Sequence, residues 1–213
     1  MSTVRGRIVV LSVVLMAGLT AAAFAQFVQV RAADGSTVGT LRQLSAYPLY
    51  ELRYEAPYHV SVLPTTRVSS APTFACTCFS ATNASGDRAM GRNYDWAQDR
   101  PVLVLITKPE GQYASISVMD ITFLGYSSVN DPMQNPEKLV ETPSWPCDGM
   151  NERGLAVSMM AVGQARSAND PGMPVVSGLG LIRVLLDQAA TVEEALAIMG
   201  KYRVVFGEPP IHY

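Results

Sequence analysis

Thr73-Phe74-Ala75-Cys76-Thr77-Cys78-Phe79-Ser80-Ala81-Thr82, followed by Asn83-Ala84-Ser85-Gly86-Asp87 and then Ala89-Met90-Gly91-Arg92-Asn93-Tyr94-Asp95-Trp96, is the stretch that decides the reading of this chain. The first run alternates small and apolar residues with polar ones, the middle is made of turn formers, and the last run is again strand-like. That pattern predicts a β-hairpin whose five-residue turn is longer than the tight two-residue kind. Pairing the two runs gathers Cys76 and the Arg92 to Asp95 stretch, so a thiol, a guanidinium and a carboxylate share one neighbourhood. A cation beside a cysteine favours its thiolate, the nucleophilic form, and Arg92 supplies one. If the peptide before Cys76 is opened, that residue also carries an α-amino group with an ordinary pKa of roughly 7.7 to 8, suited to act as general base for its own side chain. Asp95 could then hold the ammonium through a charge-assisted hydrogen bond. The residues alone favour the plainer reading, with Cys76 and Cys78 as small buried strand residues and Arg92 with Asp95 as a structural ion pair.

Upstream, the chain reads as two further pieces. Met1 to Ala25 has a basic start at Arg5 and Arg7, an uncharged apolar run from Ile8 to Ala23 and a small-x-small end at Ala23-Phe24-Ala25. This is the pattern of a secretory signal peptide cut before Gln26 and implies a secreted or periplasmic protein; an uncleaved anchor is the other reading of the same apolar run. No Cys follows the cut, so no lipoprotein anchor is expected, nor any stable membrane anchor once the signal is removed. Residues 26 to 75 carry Val/Thr/Leu stretches broken at Asp34-Gly35, an aromatic-rich strand or short helix at Tyr47-Pro48-Leu49-Tyr50-Glu51-Leu52-Arg53-Tyr54, and a Pro/Ser/Thr-rich tail from Pro64 to Pro72. That tail reads as an exposed linker and as a place where a chain is easily cut.

Composition narrows the chemistry. The 213 residues are 48% hydrophobic and 16% charged, an ordinary globular balance. Net charge is -2, and the part from Cys76 onward is the acidic part, so nothing points to nucleic acid as a partner. Three Cys are too few for a disulfide scaffold, and two His, His59 and His212, without paired Cys make a zinc site poor. Neither a metal nor a cofactor is expected. Met150, Met159, Met160 and Met173 read as core filling in preference to an acyl pocket. Asn83-Ala84-Ser85 matches a glycosylation sequon, a weak three-residue signal. His212, beside Pro209-Pro210, reads as the start of a strand and not as a catalytic group.

Downstream, Asp148-Gly149-Met150-Asn151-Glu152-Arg153-Gly154-Leu155-Ala156-Val157 places a turn before a strand over Gly154 to Val162, with Asn151 on the turn in a supporting role. An apolar stretch from Val175 to Ala190 has Ser177 as its cap. Thr191-Val192-Glu193-Glu194 then forms a capping-box pattern that opens a helix through Leu196, Ile198 and Met199 to Gly200.

Three of these segments, in order, resemble the choloylglycine hydrolase family of N-terminal nucleophile hydrolases, to which penicillin V acylase, bile salt hydrolase and N-acylethanolamine acid amidase belong. They are Cys76-Thr77-x-Phe79; Gly91 to Trp96, with Arg92 sixteen and Asp95 nineteen residues after Cys76; and the Asp148 to Val157 stretch. Pro48 to Leu52 also looks like the extension that precedes the nucleophile in secreted relatives. The resemblance implies an α+β fold, the αββα four-layer sandwich of these hydrolases. It makes Cys76 the nucleophile freed by self-cleavage after Ala75, Arg92 the group that orients its thiolate, and Asp95 the partner of the α-amine. The spacing excludes Cys78, which falls to packing or a redox bystander role.

The resemblance also shows departures. Bile salt hydrolases place an oxyanion-hole Asn where this chain has Met160-Ala161, so a backbone N–H would have to serve there; where it is used, losing one oxyanion donor can cost on the order of 100- to 1000-fold in rate. The change argues against bile salts more than against catalysis. Relatives continue beyond Pro209-Pro210-Ile211-His212-Tyr213 into the second half of their fold, which implies that only the first part of the sandwich is present. The reading is therefore a signal peptide over residues 1–25, a pre-nucleophile extension over 26–75, and the N-terminal part of the hydrolase domain over 76–213. The implied activity is hydrolysis of a linear, non-peptide amide C–N bond in an N-acylated small molecule through an acyl-thioester on Cys76, with no cofactor; a homo-oligomer stays open. Two rivals remain: an inactive secreted fragment or partner-dependent α+β module, and an acyltransferase using the same site.

Overall fold

The computed structural model describes residues 26–60, 74–96, 100–162, 166–167, 170–207 and 210–213. The expected signal peptide and the Pro64 to Pro72 linker lie outside them.

Most of the chain is organised by one seven-stranded mixed sheet. Residues 26–60 supply its first three strands, β1 (Phe27–Arg31), β2 (Thr37–Gln43) and β3 (Leu49–Tyr54), an antiparallel meander. The Tyr47 to Tyr54 run, open between strand and helix in the sequence, is strand: its residues alternate faces so that Tyr50, Leu52 and Tyr54 are all buried on one side. The hairpin follows as β4 (Phe74–Thr82) and β5 (Arg88–Trp96), a separate two-stranded sheet with the loop 83–87 between them. The chain then returns as β6 (Val102–Thr107), which pairs parallel with β3 over six residues, and continues through β7 (Ser115–Asp120), β8 (Asp148–Asn151) and β9 (Ala156–Ser158), all antiparallel. The sheet order is β1-β2-β3-β6-β7-β8-β9.

Register makes the two faces explicit. Leu41, Leu52, Leu105 and Ser117 form one row across four strands, with Tyr50, Leu103 and Met119 beside it, and every one of these is buried. Against this face lies α1 (Gly178–Gln188), whose Leu181, Ile182, Leu185 and Leu186 are at most 1% exposed. A 3-10 helix over Pro136–Ser144 lies on the same face, where Tyr54 donates its hydroxyl hydrogen to the carbonyl of Val140 at 2.9 Å. The other face carries Glu51, Val104, Val118 and Asp148 in adjacent register, and the β4–β5 hairpin meets it through Arg92 and Asp148. Ile116 and Met150, paired on that face, are half exposed, so Met150 is not core; Met159 is buried, and Met160 and Met173 are partly so.

The helix-start signals are realised in atoms. Ser177 Oγ accepts from Gly180 N at 3.0 Å, and Thr191 Oγ1 accepts from Glu194 N at 3.2 Å at the start of α2 (Val192–Met199). Glu194 reaches back to the N–H of Ala190 at 2.6 Å, one residue earlier than the usual reciprocal bond. The stretch from Val175 holds a short strand, β11 (Val175–Ser177), parallel to β12 (Arg203–Val205), before the helix begins. The single strand expected over Gly154 to Val162 is instead two. Beyond β9 the chain leaves the large sheet at Met159, and β10 (Met160–Ala161) pairs with β13 (Ile211–His212). Strands on two layers with helices at one face make this an α+β fold.

Candidate active site

In the hairpin, Cys76 stands opposite Tyr94, and Cys78 opposite Arg92. Directly opposed residues in an antiparallel pair share a face, so these four side chains lie on one side of the ribbon. Arg92 folds along that face until Nη2 lies 3.7 Å from the Cys76 sulfur. Cys76 is half-buried, and the side chain of Arg92 is only 8% exposed.

Three further contacts hold the guanidinium. Nη2 donates to the carbonyl of Met159 at 3.0 Å, Nη1 pairs with Asp148 Oδ2 at 3.1 Å, and the group lies over the Tyr94 ring, 4.6 Å from its centroid. Asp148 is partly buried, and that desolvation raises its carboxyl above its ordinary value while the Arg92 charge pulls it back. Tyr94 receives a long contact from the buried thiol of Cys147, 3.9 Å from sulfur to phenol oxygen. Burial pushes the Cys147 thiol up to about 12, which favours its neutral form.

Asp95 is placed differently. It stands opposite Ala75 in the ladder, one residue on from Tyr94, so its side chain belongs to the opposite face of the ribbon and is exposed. Cys76 and Arg92 are brought together; Asp95 lies beside the Ala75–Cys76 backbone instead of on the thiol face.

The Asp148 to Gly154 segment has a separate use for each conspicuous residue. Asp148 holds Arg92. Gly149 faces α1, where an added Cβ would meet the Ile116 carbonyl at 2.7 Å and Leu186 Cδ1 at 2.8 Å. Asn151 donates to the carbonyls of Leu186 and Ala189 at 2.9 and 2.7 Å and accepts from the N–H groups of Arg153 and Leu155. Its amide is saturated and ties the turn to the C-terminal end of α1. Gly154 turns at φ +86°, a backbone conformation open to glycine. Met160 and Ala161 stand opposite His212 and Ile211, and the residue just before them, Met159, gives its carbonyl to Arg92.

A cavity of about 490 Å³ opens between the hairpin and the large sheet. Its walls include Arg92, Tyr94 and Asp148, the second ion pair Arg100–Asp120 at 2.8 Å, and Tyr47 from the segment before the hairpin. Cys76 is not one of the lining residues. The volume is that of a small-molecule site, with apolar walls and a few fixed charges. Among the described residues no group of His, Cys, Asp and Glu is placed to hold a metal ion, and no helix is long and apolar enough to cross a membrane.

The half-buried thiol of Cys76 thus lies beside a buried, ion-paired guanidinium, and that guanidinium is also part of the cavity wall. The model of the linear amide C-N hydrolases, choloylglycine hydrolase family, matches residues 76–212, and the chain belongs to that family. No curated protein and no solved structure matches it.

Proposed function

We propose that this chain is a cysteine N-terminal nucleophile hydrolase that opens the linear amide bond of an N-acylated small molecule. The observation that carries the reading is the 3.7 Å approach of Arg92 Nη2 to the Cys76 sulfur, with the guanidinium fixed on its other side by Asp148. A positive charge that is already desolvated and held favours a thiolate at that sulfur without reorganisation.

Opening of the Ala75–Cys76 peptide would give Cys76 a free α-amine. Asp95, opposite Ala75 in the ladder, lies beside the backbone where that amine would form. The amine would take the thiol proton while sulfur attacks the substrate carbonyl. The C–N bond then breaks, the departing amine takes the proton, and an acyl-thioester remains on Cys76. Water, deprotonated by the same α-amine, would attack the thioester and release the carboxylic acid and the thiol. Met160 and Ala161, on the strand that follows the Arg92-bound carbonyl, would offer backbone to the developing oxyanion. The cavity beside Arg92 has room for one side of the substrate. The α1 layer, the large sheet and the hairpin on its other face are the arrangement expected of part of an αββα sandwich, and the first 25 residues favour export to the periplasm or medium.

The test is the intact mass and N-terminal sequence of the exported wild type beside Cys76→Ala, followed by incubation with a panel of N-acyl amides. A new N-terminus at Cys76 in the wild type alone, with release of free amine from at least one amide, is the expected result. An N-terminus that stays upstream of Cys76 in both proteins sinks the proposal. Transfer of the acyl group to an added amine in place of water would assign an acyltransferase to the same site.

A further inference from the structure

The guanidinium beside Cys76 does not hold itself in place. Arg92 lies on a two-stranded ribbon that joins no larger sheet among the described residues, and one of its terminal nitrogens serves the sulfur. The other, Nη1, is anchored to Asp148, a residue of β8 in the seven-stranded sheet. We propose that Asp148 is a positioning residue, the fixed point on the large sheet that holds Arg92 with Nη2 against the Cys76 sulfur; this rests on the reading of Cys76 as the nucleophile.

Four observations carry the proposal. Both partners are withdrawn from water, at 8% and 14% side-chain exposure, so the pair is little screened and one geometry is favoured over exchange with solvent. Nε of Arg92 finds no partner among the described residues, so the two terminal nitrogens set the orientation. Asp148 is itself fixed, since its strand pairs with β7 at Val118 and with β9 at Ser158. Finally, the other carboxylates nearby are committed elsewhere or face away. Asp120 on β7 is paired with Arg100 at 2.8 Å, and Asp95 on β5 lies on the far face of the ribbon. The other titratable neighbours of Arg92 are the Cys78 thiol opposite it on β4, the Tyr94 phenol on its own strand and the Cys147 thiol, the last two driven by burial towards their neutral forms. Asp148 is therefore the one anionic group among the described residues that meets the guanidinium.

Two roles for this carboxylate predict opposite outcomes. A residue that merely neutralises Arg92 weakens its effect on the sulfur, so removing the charge should make Cys76 more reactive. A residue that positions Arg92 does the reverse, because a loosened guanidinium leaves the sulfur.

The experiment is the pH profile of iodoacetamide alkylation at Cys76, assigned by fragment ions that separate it from Cys78 on the same peptide, on the full chain for wild type and Asp148→Asn, without any amide substrate. The positioning role predicts that the Asp148→Asn profile moves to higher pH by about one unit, which lowers the rate near neutral pH about tenfold, since only the thiolate reacts. A profile that is unchanged, or moves to lower pH, overturns it. Labelling at the buried Cys147 reports loss of the fold in the same digest. Where Asp148→Asn exposes Cys147, Asp148→Glu takes its place: it keeps the charge but sets the guanidinium back by a methylene, so its profile should also lie above wild type, and coincidence with wild type overturns the proposal. Because no turnover is measured, an inert amidase with a shifted profile would defeat the proposed function alone, and an active amidase with an unshifted profile would defeat the positioning role alone.

Discussion

Tyr58, ahead of the hairpin, donates its hydroxyl hydrogen to the Asp187 carboxylate on α1, 2.9 Å from Oδ1 and 3.1 Å from Oδ2, across 129 residues of chain. The same carboxylate pairs at 2.7 Å with Arg183, which is fully buried and donates to Ser115 Oγ at 2.6 Å. Ser115 in turn shares a hydrogen with Thr107. Burial raises the Asp187 carboxyl above its ordinary range, against the pull of Arg183 and the phenol. The leading segment, the sheet and the helix thus meet in one buried polar cluster.

Removing one member of a buried ion pair leaves the other charge uncompensated, which typically costs about 3–5 kcal/mol. Asp187→Ala should fall in that range by urea unfolding. Tyr58→Phe leaves the pair intact but takes a donor from a buried carboxylate, so its cost should be smaller, about 1–3 kcal/mol. A Tyr58→Phe protein as stable as wild type would show that the phenol contributes nothing to the cluster.

Gly149 carries a second prediction. An added Cβ would press on the Ile116 backbone and on Leu186, and backbone cannot yield as a side-chain tip can. Gly149→Ala should destabilise by about 1–3 kcal/mol. The α1 helix and β8 should lose amide-exchange protection together, because Gly149 is where they approach. Unchanged protection at Leu186 would contradict the account.

Much of this is legible in the sequence, and the exceptions have physical causes. The alternation around Cys76, the turn formers at 83–87 and the caps at Ser177 and Thr191 are local signals, and each produced the element it predicts. The Cys76–Arg92 approach followed from the hairpin register. The same register carried a further message, since strict alternation puts Asp95 on the face opposite Cys76. Asp148 was conspicuous only as the first letter of a motif; its use depends on a hairpin and a sheet meeting from distant parts of the chain. The Met159 carbonyl that shares Arg92 is backbone and has no sequence signature. Strand β6 has only a weak local signal, the short apolar run of strand length from Val102 to Thr107. Arg183 did leave a trace, as a lone cation in an apolar helix with an acid four residues on.

Acid should reveal a third contact. Glu51 lies between Arg42, bonded through two nitrogens at 3.0 and 2.7 Å, and Arg53 at 3.1 Å. The Arg42 hydrogen bonds, ahead of the charge of Arg53, hold the Glu51 carboxyl below its ordinary 4.5. The folded state then binds fewer protons than the unfolded one. Stability from Glu51 is fully present above about pH 4.5 and is lost as pH falls through the lowered folded value. Glu51→Gln should be less stable than wild type near neutrality, and the gap in melting temperature should narrow progressively as the pH falls below about 4.5. A gap that is constant with pH would mean the carboxylate charge plays no part.

If the peptide before Cys76 is opened, the two pieces should stay together. Three of the seven strands of the large sheet precede that peptide, and β3 sits inside the sheet, paired to β2 on one side and to β6 over six residues on the other. Leu41 and Leu52 are fully buried on that sheet, and Tyr50 and Tyr54 nearly so. Fully burying each large apolar side chain is worth about 1.5–3 kcal/mol, so separating the leading segment would expose a large part of the core to water. Tyr47 of this segment also walls the cavity beside Arg92 and donates to the Arg100 carbonyl at 3.0 Å. A chain cut between Ala75 and Cys76, by itself or at an engineered protease site, should therefore elute as one particle in native buffer and resolve into two chains only in denaturant. Two separate peaks without denaturant would show that β3–β6 pairing does not hold the pieces, and a cut enzyme active without its leading segment would show that Tyr47 is no part of the working cavity.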